Sequence, residues 1–254
     1  MQLKDKVVVI TGGASGIGLA MGRRFVAEGA RAVVLVDRDG ARAQAEAEGI
    51  GAHAAALDVG AEGAIEALVD AVEARHGPID LFCSNAGITA IGGAELPDAD
   101  WQRVMEVNLM AHVRAARALL PRMLERGSGY LLQTASAAGL LSQFDAPYAV
   151  SKHAAVAFAE WLSIAYGDRG IGVSCLCPGA VDTPLLQAES DRRRVLLSQG
   201  LIDADAVAAI VVEALAQRRF LILTHDFVHD QLQRKVADPE RWLHGMRRLH
   251  ARLE

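Results

Sequence analysis

Cysteine is scarce in this 254-residue chain, which has only Cys83, Cys175 and Cys177. An odd count is a poor disulfide framework, and the three have no metal-ligand spacing, so no metal site is expected. Each lies in an apolar stretch and reads as a buried thiol, which points to a reducing, cytoplasmic compartment. Long apolar runs are missing too. Val7-Val8-Val9-Ile10 is far shorter than a signal peptide's apolar core and runs straight into a glycine-rich turn. No run approaches the roughly 20 residues of a membrane span. Positive charge is not in excess: the net charge is -5, which argues against a general nucleic-acid surface. The short Arg192-Arg193-Arg194 run follows Glu189 and Asp191 and reads as a solvated helix face. What remains, 52% hydrophobic and 22% charged residues with 24 Gly and 7 Pro, is ordinary globular composition, long enough to bury a sizeable core.

Short apolar runs alternate with amphipathic stretches. Val7 to Ile10, Ala32 to Val36, Leu81 to Cys83, Tyr130 to Gln133, Gly172 to Leu176 and Phe220 to Leu223 read as buried strands. Helical patterns lie between them over Gly16 to Glu28, Arg42 to Glu48, Ala61 to Arg75, Asp100 to Glu125, Tyr148 to Asp168 and Asp203 to Ala216. Continuous apolar strands separated by helices predict an α/β fold, a doubly wound parallel sheet covered on both faces. No linker or repeat interrupts the series, so one domain over 1–254 is expected. Two stretches depart from the alternation. A loop-helix insertion is expected at about 184–200, over the carboxyl edge of the sheet. A C-terminal helix is expected at about 239–253, started by Asp238-Pro239 and striped by Trp242, Met246, Leu249 and Leu253, by default packing on the same domain.

Tyr148 and Lys152 stand four residues apart, on one helical face and one turn apart. An ammonium beside a phenol favours the phenolate, and the helix start at Asp145-Ala146-Pro147 adds the positive end of the helix dipole. Such a phenol exchanges a proton with an alcohol or ketone near neutral pH. After the first strand comes Thr11-Gly12-Gly13-Ala14-Ser15-Gly16-Ile17-Gly18, a turn through which main-chain N–H groups can approach a pyrophosphate at a helix N-terminus. The second strand ends in Asp37, placed to hydrogen-bond an adenosine ribose 2′-hydroxyl and to repel a 2′-phosphate. Arg38 next to it offers a phosphate partner instead. No Lys or Arg lies in the glycine turn, so NAD is favoured over NADP.

With these residues in view, the chain resembles the short-chain dehydrogenase/reductase family, in its compact single-domain branch, over about residues 5–225. Thr11 to Gly18 is similar to the TGxxxGxG turn. Asp58-Val59 matches the adenine-contacting pair, Asn85-Ala86-Gly87 the NAG stretch, and Pro178-Gly179 with Thr183 the segment at the nicotinamide end. Asn108, Ser136, Tyr148 and Lys152 match the catalytic tetrad. The resemblance implies a Rossmann-like fold and an NAD(P)-dependent enzyme acting on CH-OH groups. It implies cofactor contacts at Thr11, Gly12, Ser15, Gly16, Ile17 and Gly18, at Asp37, Arg38, Asp58 and Val59, and at Asn85, Ala86 and Gly87. Further contacts are implied at Tyr148 and Lys152, and at Pro178, Gly179, Val181 and Thr183. A homodimer or homotetramer is implied as well, with the dimer through the helices at 101–125 and 148–168. The chain lacks the family's common glycine-rich end: Thr224-His225-Asp226 leads into a polar helical tail.

In the implied mechanism Tyr148 exchanges the proton of the alcohol, Lys152 supports Tyr148 and the nicotinamide ribose, Ser136 donates to the substrate oxygen, and Asn108 shapes a water path from Lys152. The substrate is expected against Ser136, Ala138, Phe144, Tyr148 and Leu185. Leu140, Leu141, Ala180 and Leu186 flank these, which favours an apolar or cyclic secondary alcohol or its ketone. His112 and His153, neighbours of Asn108 and Lys152, are expected to pack or face solvent. Alternatives are an NADP-preferring carbonyl reductase, on Arg38, and a dinucleotide-binding redox sensor without turnover. A sugar-nucleotide epimerase is disfavoured because Leu19 breaks the G-x-x-G-x-x-G spacing. No metal, nucleic-acid or membrane partner is expected.

Overall fold

The computed structural model describes residues 1–142, 145–187 and 200–251. Its centre is one sheet of seven parallel strands in the order β3-β2-β1-β4-β5-β6-β7. The strands are β1 (Val7–Thr11), β2 (Ala32–Asp37), β3 (His53–Ala56), β4 (Leu81–Ser84), β5 (Gly129–Thr134), β6 (Ile171–Cys177) and β7 (Leu221–Leu223). β1, β4 and β6 are buried along their whole length, which is why their sequences are unbroken runs rather than alternations. Between strands run α1 (Gly16–Ala27), α2 (Gly40–Ile50), α3 (Ala64–His76), α4 (Asp98–Met105), α5 (Ala111–Glu125), α6 (Ala138–Leu141) and α7 (Ala146–Tyr166). The single turn α8 (Pro184–Gln187), then α9 (Ala204–Ala216), α10 (Asp226–Ala237) and α11 (Pro239–His250) complete the helices of the described residues.

The sheet separates two apolar layers. Phe82, Leu131 and Val173 face Ile65 and Val69 of α3, Ala115 and Leu119 of α5, and Ala155 and Ala159 of α7. Ile10, Leu35 and Leu132 face Met21 and Phe25 of α1 and Val207, Val211 and Leu215 of α9. The doubly wound parallel fold expected from the alternation is therefore present. Three details differ from that reading. β3 is an additional strand, a short Ala-rich edge only half buried, which shows neither a continuous apolar run nor an alternation. The stretch from Asp98 to Glu125 is interrupted by a π-helical turn, Glu106–Met110. α10 precedes the expected terminal helix. Most of the expected insertion, 188–199, together with Phe144 and the last residues from 252, lies outside the described residues.

The chain leaves β1 toward β2 and later enters β4 on the other side of β1. That reversal opens a crevice beyond the carboxyl ends of β1 and β4, where doubly wound sheets bind ligands. His112, on α5, packs inside as expected, 1% exposed, and neither ring nitrogen has a hydrogen-bond partner among the described residues. Burial, with the Lys152 charge second, pushes its pKa from 6.5 down to about 3. His153 sits at the surface side of α7, its ring within 2.9 Å of the Ala149 carbonyl and 3.4 Å of Ser142 Oγ.

The linkage for His112 has a definite sign. Below pH 6.5 the unfolded chain binds a proton that the folded chain refuses until about pH 3, so the residue's contribution is lost as pH falls across that window. Urea unfolding at stepped pH should show the parent losing about 1 kcal/mol per pH unit more than His112→Leu. Parallel profiles for the two proteins would contradict this assignment.

Candidate active site

The glycine turn after β1 follows from steric necessity. Gly12 and Gly16 have φ of +63° and +50°, and a Cβ on Gly18 would lie 2.1 Å from the Gly12 carbonyl. Thr11 Oγ1 accepts hydrogen bonds from the Asn85 and Ala86 N–H groups at 2.9 and 3.1 Å, and donates to the Cys83 carbonyl at 3.2 Å. Asn85 Nδ2 donates to the Thr11 carbonyl at 3.0 Å. The segments after β1 and β4 are thus bolted together. Ser15, at the N-cap of α1, makes no side-chain capping bond, which leaves first-turn N–H groups for an outside acceptor. Thr183 closes the turn from the far side: a Cβ on Gly16 would come within 3.0 Å of its methyl carbon.

At the end of β2 the Asp37 carboxylate accepts from Ala14 N–H and Asp39 N–H, each at 3.2 Å. These bonds fix the carboxylate, and Asp37 lines the crevice together with Arg38 and Arg42. Asp58 accepts from Arg103 at 2.8 Å and from Gly60 N–H at 2.9 Å. Partial burial pushes its carboxyl up, but these donors outweigh that and hold it below the usual carboxylate range.

At the other end of the crevice, α7 begins at Ala146 with Pro147 in its first turn. Asp145 has the N-cap position but does not cap with its side chain. The carboxylate accepts from Gly92 N–H at 2.8 Å, while Gly92 returns its carbonyl to Ala146 N–H at 3.0 Å. The loop before α4 is therefore pinned to the start of α7. One turn into the helix, Lys152 Nζ lies 5.7 Å from the Tyr148 ring centroid. It donates to the Thr134 carbonyl at 2.9 Å. Only 2% exposed, Lys152 has its pKa pushed by burial down to about 8, so it is still largely an ammonium at neutral pH. Gly87 leaves room for it: a Cβ there would stand 3.3 Å from Nζ.

Asn108 is held by the π-helical turn, the kind of irregularity that re-aims side chains at functional sites. Its Oδ1 accepts from Ile88 N–H and its Nδ2 donates to the Ile88 carbonyl, both at 2.9 Å. Nδ2 also donates to Ser151 Oγ at 3.0 Å, and Ser151 donates to the Tyr148 carbonyl at 2.8 Å. Ser136 Oγ accepts from Ala138 N–H at 3.1 Å, which leaves its own proton for donation elsewhere.

One crevice of about 610 Å³ gathers nearly all the expected positions. Gly12, Ser15, Gly16, Ile17, Asp37, Arg38, Asp58 and Val59 line one end. Asn85, Ala86, Gly87, Pro178, Gly179, Val181 and Thr183 line the middle, and Ser136, Ala138, Tyr148, Lys152 and Leu185 the other end. Thr11, Gly18 and Asn108 are not on its surface. Leu140 and Leu141 do not line it either; Leu141 is wholly buried against the tail helices. Phe144 lies outside the described residues. Sequence reasoning missed Ser151 and the structural use of Asp145. A small polar residue three positions after Tyr148 was the only signal for the first, and nothing local signalled the second. No group of described His, Cys, Asp and Glu residues is arranged to hold a metal.

The residues that would hold a dinucleotide fit one: a Cβ-free turn at a helix N-terminus, a carboxylate lining the crevice at the second strand, and a buried ammonium at the far end. Comparison with known proteins agrees. The family model described as short chain dehydrogenase matches residues 6–194. A 1-deoxy-11-beta-hydroxypentalenate dehydrogenase of Streptomyces exfoliatus is 38% identical over 254 residues, covering 96% of this chain and 91% of its own. A 3beta-hydroxysteroid dehydrogenase 1 of Eggerthella lenta is 36% identical across 72% of this chain and 74% of its own. The crystal structure of a short chain dehydrogenase/reductase from Burkholderia phymatum in complex with NAD is similar with a TM-score of 0.86. It is 31% identical, covering 94% of this chain and 96% of that one. The chain belongs to the short-chain dehydrogenase/reductase family, as an oxidoreductase acting on CH-OH groups.

Proposed function

We propose that the protein is an NAD-dependent oxidoreductase interconverting an apolar or cyclic secondary alcohol and its ketone, with Tyr148 as general acid/base. The observation that carries this reading is the buried Lys152 ammonium one helical turn from Tyr148, at the opposite end of a crevice from the glycine turn and Asp37. When bound, NAD supplies the nicotinamide that takes or returns the hydride. The glycine turn would hold its pyrophosphate, Asp37 its adenosine ribose, Asp58 and Val59 its adenine, and Pro178 to Thr183 its nicotinamide end.

Tyr148 takes the alcohol proton during oxidation and returns it during reduction. Lys152 favours the phenolate by its charge, which burial strengthens, and has ammonium protons beyond the one given to Thr134 for a ribose hydroxyl. Ser136, with its acceptor side engaged by Ala138 N–H, donates to the substrate oxygen and holds it as its charge changes. Asn108, fixed by Ile88 and Ser151, keeps the start of α7 and the segment after β4 in register and flanks a water path from Lys152.

Ala138, Ala180, Leu185 and Leu186 line the substrate end and support an apolar or cyclic substrate. The relatives named for a hydroxypentalenate and a 3beta-hydroxysteroid support a carbinol carbon in it. We also infer a homo-oligomer, a dimer through α7 or a tetramer containing it, because Val150, Trp161 and Ile164 of α7 are 49%, 53% and 85% exposed. Light scattering tests that inference, and a monomer at micromolar concentration would contradict it. Three buried free cysteines support a reducing, cytoplasmic setting. No described helix is long and apolar enough to cross a membrane.

Turnover is tested with NAD⁺ and cyclohexanol, 1-indanol, borneol and a 3β-hydroxysteroid, following the reduced-nicotinamide absorbance. Tyr148→Phe should lower kcat by about 10³-fold with NADH binding retained, whereas Lys152→Ala should lower both. Near-parental turnover by Tyr148→Phe would sink the mechanism. No turnover of any alcohol or corresponding ketone, despite tight NADH binding, would favour a redox sensor. Asp37 predicts a higher kcat/KM with NAD⁺ than with NADP⁺, and a smaller ratio in Asp37→Asn. An NADP⁺ preference in the parent would transfer the assignment to Arg38 and Arg42.

A further inference from the structure

The segment that carries Ser136 is held from two sides. Immediately after Ser136 and Ala137 comes α6, a single turn. One side of it lies close against α7: a Cβ on Gly139 would fall 2.6 Å from the carbonyl oxygen of Lys152, nearer than real Cβ atoms come. The other side is covered by the tail. Ala137 and Leu141, 4% and 0% exposed, pack in one cluster with Val228 of α10 and Trp242 of α11, with Phe227, Leu232 and Met246 against it. That stripe accounts for the spacing of Trp242 and Met246 and puts the tail behind the catalytic centre.

The polar contact in this cluster is specific. α6 ends at Ser142, whose φ of +49° turns the chain out of the helix. Lys235, on α10, donates from Nζ to the Leu140 carbonyl at 2.6 Å, and the same Nζ lies 5.3 Å from the Trp242 ring centroid. A cation at the carboxyl end of a helical turn is the favourable arrangement for its dipole, and an indole face is the best aromatic partner for that cation. α6 is therefore capped at its start by Ser136 Oγ, through Ala138 N–H, and at its end by an ammonium brought in from 95 residues away. Both caps grip one turn, so the tail and the Ser136 hydroxyl act on the same few backbone atoms.

We propose that α10 and α11 form a strap that positions Ser136, with Lys235 and Trp242 as positioning residues for the reaction. The proposal rests on the reading of Ser136 as the donor to the substrate oxygen. The strap holds α6 against α7 so that the Ser136 hydroxyl and the Tyr148 phenol converge on one substrate atom. It leaves the glycine turn, and so dinucleotide binding, untouched.

The test compares Lys235→Met, Lys235→Arg, Trp242→Ala and Ser136→Ala in the full chain. Hydrogen–deuterium exchange needs no substrate. In Lys235→Met and Trp242→Ala the peptide over 136–142 should exchange at least tenfold faster, while peptides of β1 and α1 keep the parental rate. On the panel alcohol that the parent oxidises fastest, both variants should lose at least tenfold in kcat with the NADH Kd within twofold of the parent. Lys235→Arg should recover most of the loss, because a guanidinium can still cap Leu140 and stack on Trp242. Parental exchange over 136–142 in both variants overturns the strap. Faster exchange with unchanged kcat overturns its role in positioning, provided Ser136→Ala has lost activity. If Ser136→Ala also keeps parental kcat, the reading of Ser136 is what has failed, and the exchange data alone decide whether the strap exists.

Discussion

A single buried ammonium sets the terms for the rest of this structure. Burying Lys152 costs free energy unless its protons find acceptors and its charge finds a use, and that cost is visible in a pKa pushed down to about 8. Three features keep the charge tolerable. The Thr134 carbonyl, just past the end of β5 pairing with β4, takes one proton. Gly87 has no side chain to occupy the space beside Nζ. Tyr148 offers its ring face and, in the proposed mechanism, a phenolate. In that mechanism, the charge that destabilises the fold is the charge that makes the phenol useful. This trade is typical of catalytic centres, where pKa values are moved by burial and neighbours toward the working pH.

The parts of the site are tied together by short polar side chains that bond to the backbone of neighbouring segments. Thr11 joins the ends of β1 and β4, and Asn108 and Ser151 join the segment after β4 to the Tyr148 carbonyl. Gly92 donates its N–H to the Asp145 carboxylate and accepts from Ala146 N–H, which fixes the first turn of α7. Gly139 and the tail do the same for α6. Several of these ties satisfy main-chain donors and acceptors in the loops, so the loops are ordered without a core of their own.

Much of this was legible in the sequence because the legible parts are local. A glycine needed for positive φ at Gly12 and Gly16, a Tyr and a Lys four apart, and unbroken apolar strands all leave their cause within a few residues. β3 was not legible: His53 to Ala56 is a half-buried edge whose alanines have little strand preference, held by pairing with β2. The π-helical turn left no mark in an apolar periodicity that runs on past it. Asp145 looked like a helix cap by type and position, but the nearby Gly92 N–H won its carboxylate. Leu140 and Leu141 looked like pocket wall because they follow Ser136, yet a one-turn helix faces two ways, and their contacts are with the tail. The stripe of Trp242 and Met246 announced burial without saying against what.

The central claim is that Lys152 lowers the pKa of Tyr148 and so favours its phenolate. The chain has three tyrosines, so carbon-13 labelling at the phenolic carbon gives a spectrum that can be assigned by mutation. Titrated by NMR without cofactor, the Tyr148 resonance should move at lower pH than that of Tyr130, whose phenol burial pushes up. In Lys152→Ala that midpoint should shift upward. A Tyr148 midpoint no lower than that of Tyr130, or one that Lys152→Ala leaves in place, would contradict the account.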